Sequence, residues 1–191
     1  MTVLRATDVE DLVERLREAA GLSDIAATTE RIKETLEELI PPEGLVMPER
    51  FLQVRPDSYA RRLLYQDPEH VFTALIMTWG PGQRTALHDH AGIWCVEGVV
   101  QGQMEVCRYE MAEECGNDLF RFADKGCVRA VAGSAGALIP PFEHHVLANA
   151  LTDRPSLTLH VYGGEMDHCS IFEPQGDGFY RRIERSLSYD D

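Results

Sequence analysis

The stretch Gly82–Gly102 reads GQRTALHDHAGIWCVEGVVQG, and two histidines in it decide how the rest of the chain is to be understood. His88 and His90 are separated by one residue between runs of β-forming character, and side chains two apart on a strand leave it on the same face. Their imidazoles therefore converge on one point. Asp89 between them points the opposite way, so this is not the His-x-Asp start of a two-histidine, one-carboxylate iron site.

Outward from that pair, the chain from Tyr59 onward is a series of short β-type runs separated by Gly, Pro, Asn or Asp: YARRLLYQ, VFTALIMTW, IWCVEGVV, QMEVCRYEM, LFRF, CVRAV, GALIP, HHVLANA and SLTLHVYG. Many short strands broken by turn residues at regular spacing indicate an all-β sandwich or barrel. Ahead of them, Val9, Leu12, Val13 and Leu16 recur at helical spacing behind a capping residue at Thr7 or Asp8. Ile32, Leu36, Leu39 and Ile40 repeat the pattern behind Thr28 and Thr29. Pro41 and Pro42 end the second helix, and Pro48 starts a further short helical turn. The expectation is a single domain over residues 1–191: a helical appendage at 1–50, a β-barrel core at 51–174 and a C-terminal tail at 175–191.

A chain of 191 residues with 44% hydrophobic residues can bury one good core. Its formal charge of -14 argues against a nucleic-acid or anionic-membrane surface, both of which need basic footprints. No apolar run is long enough to span a bilayer, and the N-terminus lacks a signal-peptide pattern, so a cytoplasmic protein acting on small molecules is expected. A monomer or small homo-oligomer is expected. The five cysteines, Cys95, Cys107, Cys115, Cys127 and Cys169, include no CxxC and fit neither a disulfide framework nor a cysteine-rich zinc site, so most should be free thiols.

The chemistry lies with the seven histidines. A third ligand to complement His88 and His90 must come from a distant strand, and His145, after GALIPPFEH, is the leading choice; His144 beside it would face the other way. The bland alternative is a pair of half-exposed histidines that bind nothing.

These residues resemble a known family. Gly82, His88, His90 and Gly102 fit the first cupin motif with Cys95 where its glutamate would stand, and Pro140, His145 and Asn149 fit the second with Phe142 replacing its glycine. The glutamate-to-cysteine exchange is the one made by thiol dioxygenases of the cysteine dioxygenase family. Further motifs agree in order: Tyr59 and Arg61, then Trp79, Gly80 and Gly82, then Leu159, His160, Val161 and Tyr162. The resemblance covers residues 51–174 and implies a mainly β cupin barrel, a double-stranded β-helix or jelly roll, preceded by α-helices.

It also implies Fe(II) on His88, His90 and His145, with a small thiol and O2 as reactants and a sulfinic acid as product. Spacing alone suits zinc equally; the preference for iron comes from the resemblance. Arg61, helped by Tyr59, would hold the substrate carboxylate, and a guanidinium does this with two parallel hydrogen bonds. Tyr162 and His160 would form a catalytic row with Thr158, all on one strand face. Cys95 stands where animal members link a cysteine to the active-site tyrosine. Trp94, Gly163 and Gly164 depart from the animal sequences and are expected at the pocket wall. Arg61 favours cysteine over 3-mercaptopropionate and also suits a dicarboxylic thiol such as mercaptosuccinate. The alternative function is a non-catalytic or differently metallated cupin that binds a small metabolite or acts as a sensor.

Overall fold

The computed structural model describes residues 2, 3 and 6–191, with side chains from Val9 onward. A short strand β1 (Thr2–Val3) precedes two helices, α1 (Ala6–Ala20) and α2 (Ile25–Leu39). β1 pairs in parallel with β2 (Leu45–Val46). The capping side chains expected at Thr7 or Asp8 lie outside the residues whose side chains are described. Helix α2 starts earlier than its apolar pattern suggests. Its cap is Asp24, whose carboxylate accepts from the Ala27 N–H at 2.9 Å. Thr28 and Thr29 sit buried inside the helix, where Thr29 donates to the Ile25 carbonyl. Pro48 opens a 3-10 turn over Glu49–Phe51, as its position predicts.

The strands that follow are β3 (Ala60–Gln66), β4 (Thr73–Trp79), β5 (Leu87–His88), β6 (Cys95–Gln101), β7 (Gln103–Gly116), β8 (Leu119–Val131), β9 (Ala135–Leu138), β10 (His145–Asn149), β11 (Ser156–Tyr162), β12 (His168–Gly176) and β13 (Phe179–Ser186). One sheet has the order β3-β4-β11-β6-β9; the other closes on itself as β10-β5-β12-β13-β8-β7. This is the mainly β cupin arrangement with N-terminal helices that the sequence motifs imply.

Every residue of β4 and of β11, polar ones included, is buried, because each face of both strands is covered. On the outer face Ile76, Val96, Val100, Leu159 and Val161 pack under Leu12, Leu16, Ile32, Leu36 and Ile40 of the helices. Burying side chains of this size contributes roughly 1.5–3 kcal/mol each. The helices are therefore a third layer of the core rather than an appendage. The inner face, carrying Met77, Trp79 and Val99, meets Met104 and Leu147 of the opposite sheet.

Two turns show local sequence fixing register. Asn117 and Asp118 both have positive φ, 51° and 58°, the backbone of a tight hairpin turn between β7 and β8. Gly102 has φ 81°, and a Cβ there would collide with the Ser156 hydroxyl. That hydroxyl donates to Asn149 Oδ1 at 2.7 Å, while Asn149 Nδ2 donates to the Trp79 and Gly80 carbonyls at 3.1 and 3.0 Å. The motif asparagine thus ties the end of β4 to the turn leading into β11.

Three features differ from the sequence reading. LFRF and CVRAV are parts of one long strand, β8. Residues 175–191 are not a simple tail: β13 pairs with β12 and β8, and its largely exposed, charged residues carry no apolar alternation that would mark it as a strand. Cys107 and Cys127 face each other in the β7–β8 register and are joined as a disulfide, whereas Cys95, Cys115 and Cys169 are free. Among the described residues no helix is long and apolar enough to cross a membrane.

Candidate metal centre and its cavity

His88 ends β5, His90 follows it, and His145 begins β10 directly opposite His88 in the antiparallel register. The three imidazoles meet, with ligand atoms all within 4.8 Å of one another and ring centroids 4.4 to 5.4 Å apart. His144 points elsewhere, as alternation requires, and packs against Phe122 and Phe172.

The tautomers suit a metal. His145 Nδ1 lies 2.7 Å from the Glu143 carbonyl and His88 Nδ1 lies 3.1 Å from the Ala86 carbonyl. A carbonyl only accepts, so in both rings Nδ1 carries the hydrogen and Nε2 keeps a free lone pair. His145 Nε2 and His90 Nδ1 are buried without any hydrogen-bond partner. Burial, with each ring disfavouring charge on the others, holds His90 and His145 well below the usual histidine range, and burial lowers His88 as well. Three neutral imidazoles with converging lone pairs are a donor set that fits a divalent cation.

Beside them runs the β11 row. Trp79 Nε1–H, which can only donate, bonds Thr158 Oγ1 at 2.9 Å, and Thr158 Oγ1 lies 2.7 Å from His160 Nε2. Thr158 thus links the Trp79 indole to the His160 ring. The other ring nitrogen, His160 Nδ1, lies 3.4 Å from Tyr162 Oη and 3.3 Å from Glu97 Oε2. Tyr162 is itself buried beside this pair. Burial raises its phenol well above the usual range, so it stays protonated.

Arg61, on β3, reaches the same cavity and is buried to 5% exposure. Its Nη1 and Nη2 donate to the Ser188 and Met166 carbonyls at 3.1 and 3.0 Å. A guanidinium has five N–H groups, so three remain for a ligand. The segment beyond β13 holds this arginine in place, because Asp190 accepts from the Arg61 N–H at 2.8 Å and donates its own to the Arg61 carbonyl at 2.7 Å. Tyr59 lines the cavity with its ring 4.5 Å from that of Trp79.

One cavity therefore brings together Tyr59, Arg61, His88, His90, His145, His160 and Tyr162. Cys95 is fully buried directly across from Tyr162 in the β6–β11 register. Trp94 and Gly163 do not line the cavity. Trp94 turns outward against the helical layer and covers Gly163, where any Cβ would strike the indole.

Glu97 is the residue that motif reading passes over. It is two residues past Cys95 on the same inward face, with Oε1 3.8 Å from His145 Nε2. Burial raises its carboxyl to about 8 against the opposing pull of Arg108, and burial brings His160 down to about 3. Both groups are neutral near pH 7, so their contact is not an ion pair. A lone acid within the apolar run CVEGVV, in phase with Cys95, was the available signal.

A family model described as "Cysteine dioxygenase type I" matches residues 45–175. The chain belongs to the cysteine dioxygenase type I family. Cysteine dioxygenase type 1 of Rattus norvegicus is 24% identical over 174 residues, covering 90% of this chain and 82% of that protein. Cysteine dioxygenase type 1 of Homo sapiens is 25% identical over 173 residues with the same coverage. Among solved structures, a protein with a double-stranded β-helix domain from Klebsiella pneumoniae is similar at 16% identity and a TM-score of 0.45, over 70% of this chain and 86% of that one. The cysteine dioxygenase match takes in all three histidines and the β11 row, and stops before the residues at 188–190 that hold Arg61.

Proposed function

We propose that this protein is an Fe(II)-dependent thiol dioxygenase that converts a small carboxylated thiol, cysteine or a related mercapto acid, with O2 to its sulfinic acid. The observation that carries the reading is the sharing of one cavity by three neutral imidazoles, a buried arginine and a buried tyrosine. A cupin that only stores a metal has no use for the last two.

His88, His90 and His145 would hold the ion. Because all three ligands are neutral, they leave its double positive charge uncancelled, which favours an anionic thiolate. When bound, ferrous iron supplies the redox chemistry by which the reaction RSH + O2 → RSO2H proceeds, sulfur losing four electrons to the two oxygen atoms. Arg61 uses its remaining N–H groups to grip the substrate carboxylate and so fixes where sulfur lies. Tyr162, kept protonated by burial, would donate its O–H into the cavity where negative charge gathers on oxygen. Trp79, Thr158 and His160 hold that phenol in place. Met77, Leu147 and Leu187 exclude bulk water.

The test is oxygen uptake by the iron-loaded protein with cysteine, 3-mercaptopropionate, mercaptosuccinate and cysteamine. Stoichiometric consumption of O2 with sulfinate formed from a carboxylated thiol is expected. Absence of uptake with every thiol refutes the proposal.

A further inference from the structure

The opening that leads to the metal centre carries charge the fold does not require. Arg84, just before β5, and Arg185, near the end of β13, both line this mouth together with Tyr59, His88, Cys169 and Asp57. Both arginines are exposed, and neither pairs with a carboxylate among the described residues. The two exposed guanidiniums share one opening in which Asp57 is the single acid among the lining residues.

Their position is tied to the inner arginine. Cys169 sits opposite Arg185 in the β12–β13 register, and Tyr59 and Cys169 line both the mouth and the inner cavity. Arg61 and Arg185 both act electrostatically on that phenol and on that thiol, Arg61 from within and Arg185 from the opening. Leu187, just past the end of β13, lines both the mouth and the inner cavity. A ligand whose sulfur lies at the histidines and whose first carboxylate meets Arg61 would extend any second anionic group toward Arg185.

We propose that Arg185, supported by Arg84, forms a second carboxylate site at the mouth, so that the preferred substrate is a small thiol bearing two carboxylates. This rests on reading the inner cavity as a thiol site. Carboxylate binding by an arginine at a partly open site is directional enough to select between a diacid and a monoacid rather than merely attract anions.

The experiment is anaerobic calorimetric binding of mercaptosuccinate and of 3-mercaptopropionate to the iron-loaded protein, with oxygen uptake measured on the same preparations. Wild type should bind the diacid at least about tenfold more tightly, the worth of one charge-assisted hydrogen-bonded contact. Arg185→Gln should lose at least about tenfold more affinity for the diacid than for the monoacid. The charge-matched control Arg182→Gln, which breaks a surface pair with Asp118 and a contact with the Phe120 ring away from the mouth, should change neither. Equal affinities in wild type overturn the proposal. So does an Arg185→Gln variant that weakens both ligands alike, since that is general attraction of anions. Selective diacid binding without oxygen uptake would support this site while sinking the catalytic reading, so the two failures are distinct.

Discussion

Replacing Glu97 with glutamine tests whether a carboxyl really sits isolated among the buried histidines. In the folded metal-free protein its pKa is about 8, against 4.5 for the unfolded chain, so folding favours the protonated form. Its contribution is fully present below the unfolded value and is lost as pH rises toward 8. The buried histidines act in the opposite direction, because their folded values lie below 6.5 and they cost stability only as pH falls under that point. Between pH 6.5 and 8 their effect is small and Glu97 dominates the difference between the proteins. At about 1.36 kcal/mol per pH unit, the wild type should lose roughly 2 kcal/mol across this window relative to Glu97→Gln. The assay is urea unfolding of both chelator-treated proteins at closely spaced pH values. Taking the difference cancels groups common to both, including exposed His168, whose value is raised by hydrogen bonding to Asp167. Parallel stability curves would show that the carboxyl ionises freely and that the inferred isolation is wrong.

His145→Ala should bring bound iron to near zero by elemental analysis, since it removes one of the three converging lone pairs, while the fold persists by circular dichroism. Arg61→Gln should raise KM for a carboxylated thiol by about ten- to a hundredfold, the worth of a charged hydrogen-bonded pair, with iron content unchanged; equal metal loss would contradict its role. Gly163→Ala should lower stability by about 1–3 kcal/mol through collision with Trp94, and a paired Trp94→Ala should recover part of the loss in thermal melts. After turnover with thiol and oxygen, a Cys95–Tyr162 thioether should leave the intact protein lighter by two hydrogen atoms; an unchanged mass, or the same change in Cys95→Ala, counts against it.

Much of the site was legible because strand alternation is a rigid rule. It set His88 and His90 together, turned His144 away from His145, and aligned Thr158, His160 and Tyr162. What alternation cannot convey is which strands close on which, so the opposition of His145 and His88 came only with the register. Strand β13 was hidden for a different reason: exposed on nearly all of its residues, it carries no hydrophobic period. Asp24 was passed over as a cap because the apolar pattern of α2 begins well inside the helix. Glu97 was overlooked because the cupin motif directs the eye to the position two residues earlier. Trp94, adjacent in sequence to a cavity residue, faces outward by the same alternation that puts Cys95 inside.

The attachment of Arg61 to the chain's last few residues links two regions far apart in sequence. The carbonyl of Ser188 holds the guanidinium, and the side chain and N–H of Asp190 hold the Arg61 backbone, at the wall of the histidine cavity. Trimming residues 187–191, or fusing a purification handle onto Asp191, is consequently an edit to ligand recognition rather than a neutral convenience. Handles placed near α1 avoid that interference.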